Sequence, residues 1–183
     1  MVKENRITVI FGKKGSGKTY LAKALMSKFS GPIFILDSQD EYDGAVVFYQ
    51  VEHFINLYLN EKFKPGVCIF RLSNDAQLNA LFLACWYIGN LMIVGEEIDL
   101  YCSAHSINES LAKIIKYGRH RNISIIAISR RPAEVNRLIT SQIDDLYIFK
   151  MTEPRDLQYF NTFDVDTKRL TALKKYQTIH ITS

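Results

Sequence analysis

The stretch that most constrains this chain is Gly12-Lys13-Lys14-Gly15-Ser16-Gly17-Lys18-Thr19. It lies between a short apolar run, Ile7–Phe11, and a segment with helical spacing. GxxxxGK[ST] between a strand and a helix is the pattern of a phosphate-binding P-loop. The chemistry dictates these residue types. Glycines let successive N–H groups turn inward around phosphate oxygens, and the start of the following helix adds the positive end of its dipole. Lys18 is placed to reach the β- and γ-phosphates, and the Thr19 hydroxyl to ligate Mg²⁺. The nucleotide-contacting stretch is therefore Gly12, Lys13, Lys14, Gly15, Ser16, Gly17, Lys18, Thr19 and Tyr20, with ATP and Mg²⁺ as the expected ligands. A GTPase would carry an Asn-Lys-x-Asp tetrapeptide to read guanine, and the sequence contains none.

The rest of the chain supplies the framework such a loop needs. Ile7–Phe11, Ile33–Leu36, Val67–Phe70, Leu91–Val94, Ile123–Ile128, Leu146–Phe149 and Thr178–Ile181 read as strands, most of them continuously apolar. Between them, Leu21, Leu25 and Phe29 recur at helical spacing beside Ala22 and Met26, and Ile107, Leu111, Ile114 and Ile115 repeat the pattern. Leu78–Ile88 is apolar on nearly every side, which predicts a helix buried on more than one face. This alternation predicts a three-layer α/β fold, a mostly parallel sheet covered by helices on both faces. At 183 residues, with 48% hydrophobic and 23% charged, one ordinary globular domain spanning 1–183 is expected, and a disordered or disulfide-scaffold chain is excluded.

Cys68, Cys85 and Cys102 show no CxxC spacing and read as buried reduced thiols. The N-terminus lacks a cleavable leader pattern, and Ala80–Gly95, the most apolar region, is broken by Gly89-Asn90. A cytoplasmic protein without a membrane span is expected. A net charge of +4 permits a nucleic-acid partner without requiring one.

The strand Leu91–Val94 runs through Gly95 into Glu96-Glu97-Ile98-Asp99. A carboxylate at such a strand end holds Mg²⁺ through water, and a second beside it orients and deprotonates the attacking water. Glu96 is assigned to the metal with Thr19, and Glu97 to the base, with Lys18 the catalytic cation. An adjacent second acid suits hydrolysis better than transfer to a bound acceptor, which favours an ATPase over a small nucleotide kinase. The kinase stays open, because Arg119, Arg121, Arg130 and Arg131 could form an arginine-rich lid. No acidic residue falls between Glu109 and Glu134, while Lys113, Lys116 and those four arginines do. That block is either a solvated basic face or the source of an arginine finger for a neighbouring subunit. Arg119, just after a helix end and Gly118, is the first candidate finger and Arg121 the reserve. His120 reads as a surface residue.

Taken together these segments resemble the FtsK–HerA superfamily of P-loop ATPases. Besides the P-loop, Ile35-Leu36-Asp37-Ser38-Gln39-Asp40-Glu41-Tyr42 is similar to the family's D-x-x-G-E-Y turn after strand two, and Glu96-Glu97-Ile98-Asp99 to its D-E-x-D ending. Tyr117-Gly118-Arg119-His120-Arg121 and Ser129-Arg130-Arg131-Pro132 are similar to its x-G-R and Q-R-P. Glu96 stands where the family has Asp, and Arg130 where it has a γ-phosphate-sensing Gln, so Ser129 and Arg130 are both candidate sensors. Asp40 and Asp43 read as solvated. In size the chain most resembles genome-packaging ATPases of tailless icosahedral viruses with an internal membrane.

The resemblance implies a RecA-like (ASCE) sheet with Ile123–Ile128 between the P-loop strand and the Glu96 strand. It also implies a homo-oligomeric ring, expected as a hexamer, that closes ATP sites between subunits and moves double-stranded DNA without reading sequence. Capsid vertex proteins would be partners if the chain is viral, with membrane contact only through such partners. A cellular, plasmid or filamentous-phage translocase of the same superfamily is the alternative. Lys168, Arg169, Lys174 and Lys175, beyond the motifs, read as solvated.

Overall fold

The continuous apolar runs become strands because both faces of each are covered. In the computed structural model, which describes residues 5–62, 64–163 and 165–182, β1 (Ile7–Phe11) leads through the P-loop into α1 (Lys18–Met26). Then follow β2 (Ile33–Leu36), β3 (Val46–Phe48), α2 (Val51–Leu59), β4 (Val67–Phe70), α3 (Asp75–Ile88) and β5 (Leu91–Gly95). A small hairpin of β6 (Cys102–Ser103) and β7 (Ser106–Ile107) precedes α4 (Glu109–Tyr117) and β8 (Ile123–Ser129). The chain closes with α5 (Arg137–Thr140), β9 (Asp145–Phe149), α6 (Pro154–Phe160), α7 (Thr167–Ala172) and β10 (Thr178–Thr182).

The eight-stranded sheet runs β10-β9-β1-β8-β5-β2-β4-β3. Every neighbouring pair is parallel except β9 and β10. As the resemblance implies, β8 lies between β1 and β5. All seven predicted strands are present, three to their predicted ends and the other four within one residue of them. The short edge strand β3 and the hairpin are additions.

Alternate residues of each strand serve opposite faces. Val9 and Phe11 face the larger core with residues of α2, α3, α4, α5, α6 and α7. Ile10, Ile33, Ile35, Val94, Ile126 and Ile128 face a smaller one built with Ala22 and Met26 of α1. The helix cover is therefore lopsided. One expectation needs correcting: α3 buries Leu78, Leu81, Phe82 and Cys85 on one face, but Leu83 and Tyr87 are exposed on the other. With Tyr58 and Leu59 of α2 they line an apolar groove between the two helices.

The three cysteines are buried and unpaired, as expected. Burial pushes the Cys68 and Cys102 thiols up to about 11, and that of Cys85 higher still. No described helix is long and apolar enough to cross a membrane.

Candidate active site

A parallel sheet gathers its functional loops at the C-terminal ends of its strands, and here four of them converge. The P-loop leaves β1 through Gly12, where a Cβ would fall 2.6 Å from Ser16 Oγ and 2.8 Å from Phe149 Cβ. Gly17 caps α1 with φ +105°, a left-handed value that favours glycine. The Gly12 N–H donates to the Ser129 carbonyl at 3.3 Å, which ties the loop to β8. Lys18 is buried and its Nζ donates to the Lys13 carbonyl at 3.2 Å. Burial pulls its pKa below the ordinary lysine value, with the Arg130 charge adding to the effect. Ser16 Oγ is buried with no hydrogen-bond partner among the described residues.

The turn after β2 supplies two residues to this loop. Asp37, at the end of that strand, is buried and accepts from the Glu41 N–H at 2.9 Å and the Tyr42 N–H at 3.3 Å. The Arg71 guanidinium, just after β4, closes on the same carboxylate at 2.9 Å and also donates to the Tyr42 carbonyl. So held, the turn sets Glu41 Oε2 2.5 Å from the donating Thr19 hydroxyl. It also sets the buried Tyr42 hydroxyl 2.8 Å from Glu96 Oε1, to which it donates.

Glu96 follows β5 and is only 3% exposed. Burial raises its carboxyl above the ordinary carboxylate range, partly offset by the Tyr42 hydrogen bond. Glu97 follows in a left-handed conformation, φ 50° and ψ 58°, unusual for a residue with a side chain. Its carboxylate pairs with the Arg130 guanidinium. Lys14, Gly15, Gly17, Lys18, Thr19, Tyr20, Glu41, Glu96, Glu97, Arg130 and Tyr176 line one cavity of about 380 Å³.

Most of the predicted residues meet here, with informative exceptions. Lys13 reaches out of the cavity to the Thr152 hydroxyl at 2.5 Å. Of the two sensor candidates, Arg130 lines the cavity. Ser129 is fully buried, and its hydroxyl accepts from the Arg131 N–H at 3.2 Å. Arg119 and Arg121 precede β8, so they lie at the opposite, N-terminal ends of the strands, roughly 20 Å from the P-loop at about 3.3 Å per strand residue. Arg119 is exposed. Arg121 holds the C-terminal end of α3, donating to the carbonyls of Trp86 at 3.0 Å and Tyr87 at 2.6 Å.

The basic block is therefore not one surface. β8 separates its ends, Lys113 lies over the Trp86 ring, and Arg131 pairs with Glu134, Glu153 and Asp156. Sequence reasoning missed Glu41, Tyr42, Arg71 and Tyr176 as parts of the site. The D-x-x-x-E-Y spacing carried a signal for the first two, while Arg71 and Tyr176 carried none.

The residues present fit a magnesium–nucleotide. An orphaned hydroxyl, a buried lysine and a helix start face where phosphates belong. The Thr19 hydroxyl and the Glu41 and Glu96 carboxylates are hard oxygen donors. The described residues contain no cluster of three or more His, Cys, Asp or Glu suited to a metal. Mg²⁺ takes just one or two carboxylates, completed by phosphate and water.

Comparison with known proteins agrees with this geometry. Residues 5–128 match the family described as Helicase HerA, central domain. The DNA packaging ATPase P9 of Enterobacteria phage PRD1 is 25% identical to this chain over 98% of it and 83% of that protein. The genome packaging NTPase B204 of Sulfolobus turreted icosahedral virus 2, solved with AMPPCP, superposes with a TM-score of 0.79 at 18% identity, covering 100% of this chain and 94% of that one. VirB4 of Thermoanaerobacter pseudethanolicus superposes with a TM-score of 0.67 at 13% identity, covering 100% and 90%.

Proposed function

The chain belongs to the HerA helicase central-domain family, and from that premise we propose that it is the ATPase motor that drives double-stranded DNA into a viral capsid. One observation carries the reading: the P-loop, three acids and an arginine surround a single cavity, in a chain aligned almost end to end with a phage packaging ATPase.

Mg²⁺ bound by Thr19 and Glu96 would neutralise charge on the phosphate oxygens. Lys18 exchanges the Lys13 carbonyl for phosphate oxygens. Glu97 accepts the proton of the water that attacks the γ-phosphorus, as the bond to the ADP oxygen breaks. Arg130 pairs with the Glu97 carboxylate and aims it, and serves as the γ-phosphate sensor in place of glutamine. Arg119, too far to serve its own site, acts in trans on the next subunit of a ring, which we take as a hexamer. DNA is held through its phosphates, so binding is independent of sequence.

A second reading, a translocase of a cell, plasmid or filamentous phage, draws on the likeness to VirB4. Genome neighbours separate the two: a double jelly-roll capsid gene goes with packaging, a conjugation gene with transfer. A nucleotide kinase would instead produce ADP only with an acceptor. Displacement of a third strand from a linear DNA triplex tests movement directly. The wild type should release the strand only with ATP, and Glu97→Gln should not. Release by Glu97→Gln at the wild-type rate would end the motor reading.

A further inference from the structure

We propose that Tyr176 is the platform on which the nucleobase stacks, an inference that rests on the nucleotide-site reading above. The loop between α7 and β10 returns the chain antiparallel to β9, with Thr178 opposite Phe149. That register delivers residues 173–177 to the C-terminal end of β9, next to the P-loop strand. There Tyr176 adopts φ +69°, a left-handed conformation costly for a bulky side chain. The residue is 64% exposed.

The ring lies close over the P-loop. A Cβ on Gly17 would fall 3.1 Å from Tyr176 Cδ1, and Tyr176 lines the same cavity as Lys18 and Thr19. The loop is braced by two hydrogen bonds, Lys174 N–H to Gln177 Oε1 at 2.8 Å and Gln177 N–H to the Lys174 carbonyl at 3.1 Å. Strained backbone thus holds a large aromatic face in solvent above a phosphate-binding loop. Phosphates are recognised by cations and N–H groups, which an aromatic face does not supply. The base is the part of a nucleotide that such a face binds. Stacking reads the π-face common to all bases, so ATP and GTP should both benefit.

The test compares ATP with inorganic tripolyphosphate, which has the phosphates and no base. Titration calorimetry on Tyr176→Gly, a substitution that suits the positive φ, should show ATP and GTP affinity reduced roughly tenfold or more. Tripolyphosphate affinity should be unchanged and Tm not lowered. Tyr176→Trp should keep ATP affinity. Equal losses for ATP and tripolyphosphate would make Tyr176 a mere prop for the P-loop and overturn the proposal. ATP affinity unchanged in Tyr176→Gly would also overturn it. A wild type that binds neither ligand would instead overturn the nucleotide site itself.

Discussion

Glu96 and Glu97 are chemically alike and adjacent, yet their surroundings differ. Glu97 sits in a left-handed turn, paired with Arg130, and is aimed into the cavity. Glu97→Gln should bind Mg·ATP while hydrolysing it at least about a hundredfold more slowly. Glu96→Gln should chiefly weaken the dependence on Mg²⁺, seen by titrating the metal at fixed ATP. Normal turnover in Glu97→Gln with a dead Glu96→Gln would exchange the two roles.

Glu96 also makes a prediction about pH. Burial raises its folded-state pKa above the unfolded value, so the folded protein binds that proton more tightly. Its contribution to stability is fully present below the unfolded pKa and is lost as pH rises through the raised folded value. Without nucleotide or metal, Glu96→Gln should therefore melt above the wild type at pH 8. The difference should shrink on acidification and vanish below the ordinary carboxylate range. A difference in Tm that is constant with pH would refute this burial argument.

Among the elements, the turn after β2 links the fold to the chemistry. Asp37 accepts the two N–H groups that shape the turn, and Arg71 pairs with it from the strand next door. Asp37→Ala should cost about 2–3 kcal/mol in urea denaturation, the usual scale for hydrogen bonds to a buried charge. It should also lower Mg·ATP turnover, because Glu41 and Tyr42 lose their placement. Wild-type turnover in a destabilised variant would show that the turn only props the sheet.

The same element shows what the amino-acid sequence could reveal. The strands were legible because burial on both faces leaves continuous apolar runs such as Ile33–Leu36. β3 was not, because three residues at a sheet edge, with Val46 exposed, leave too short a pattern. Leu78–Ile88 looked buried on more than one face because periodicity cannot distinguish a core face from the exposed wall of the groove beside α2. The P-loop was legible because its backbone path itself demands glycine. Tyr176 was not, because sheet order brings it to the loop from the far end of the chain. Asp40 and Asp43 are exposed as expected, while Asp37 of the same acidic turn is buried.

In the whole molecule, the P-loop and Arg119 lie at opposite ends of the strands, so on the proposed function an arginine finger at Arg119 would act between subunits. Arg119→Ala and Glu97→Gln should each be inactive, and mixing them should restore some hydrolysis. A site on an Arg119→Ala subunit keeps its own Glu97, and a Glu97→Gln neighbour supplies the arginine. Mixed rings verified by mass spectrometry but without recovered activity would remove Arg119 from this role. The central claim is that duplex DNA is what the ATPase acts upon, and ATP turnover measured with and without it is the most direct test. Turnover should rise on adding duplex of any sequence. The rise should fade steeply with salt, because binding through Lys and Arg releases counterions from the phosphates. Turnover that is the same with and without duplex DNA at every salt concentration would contradict the account.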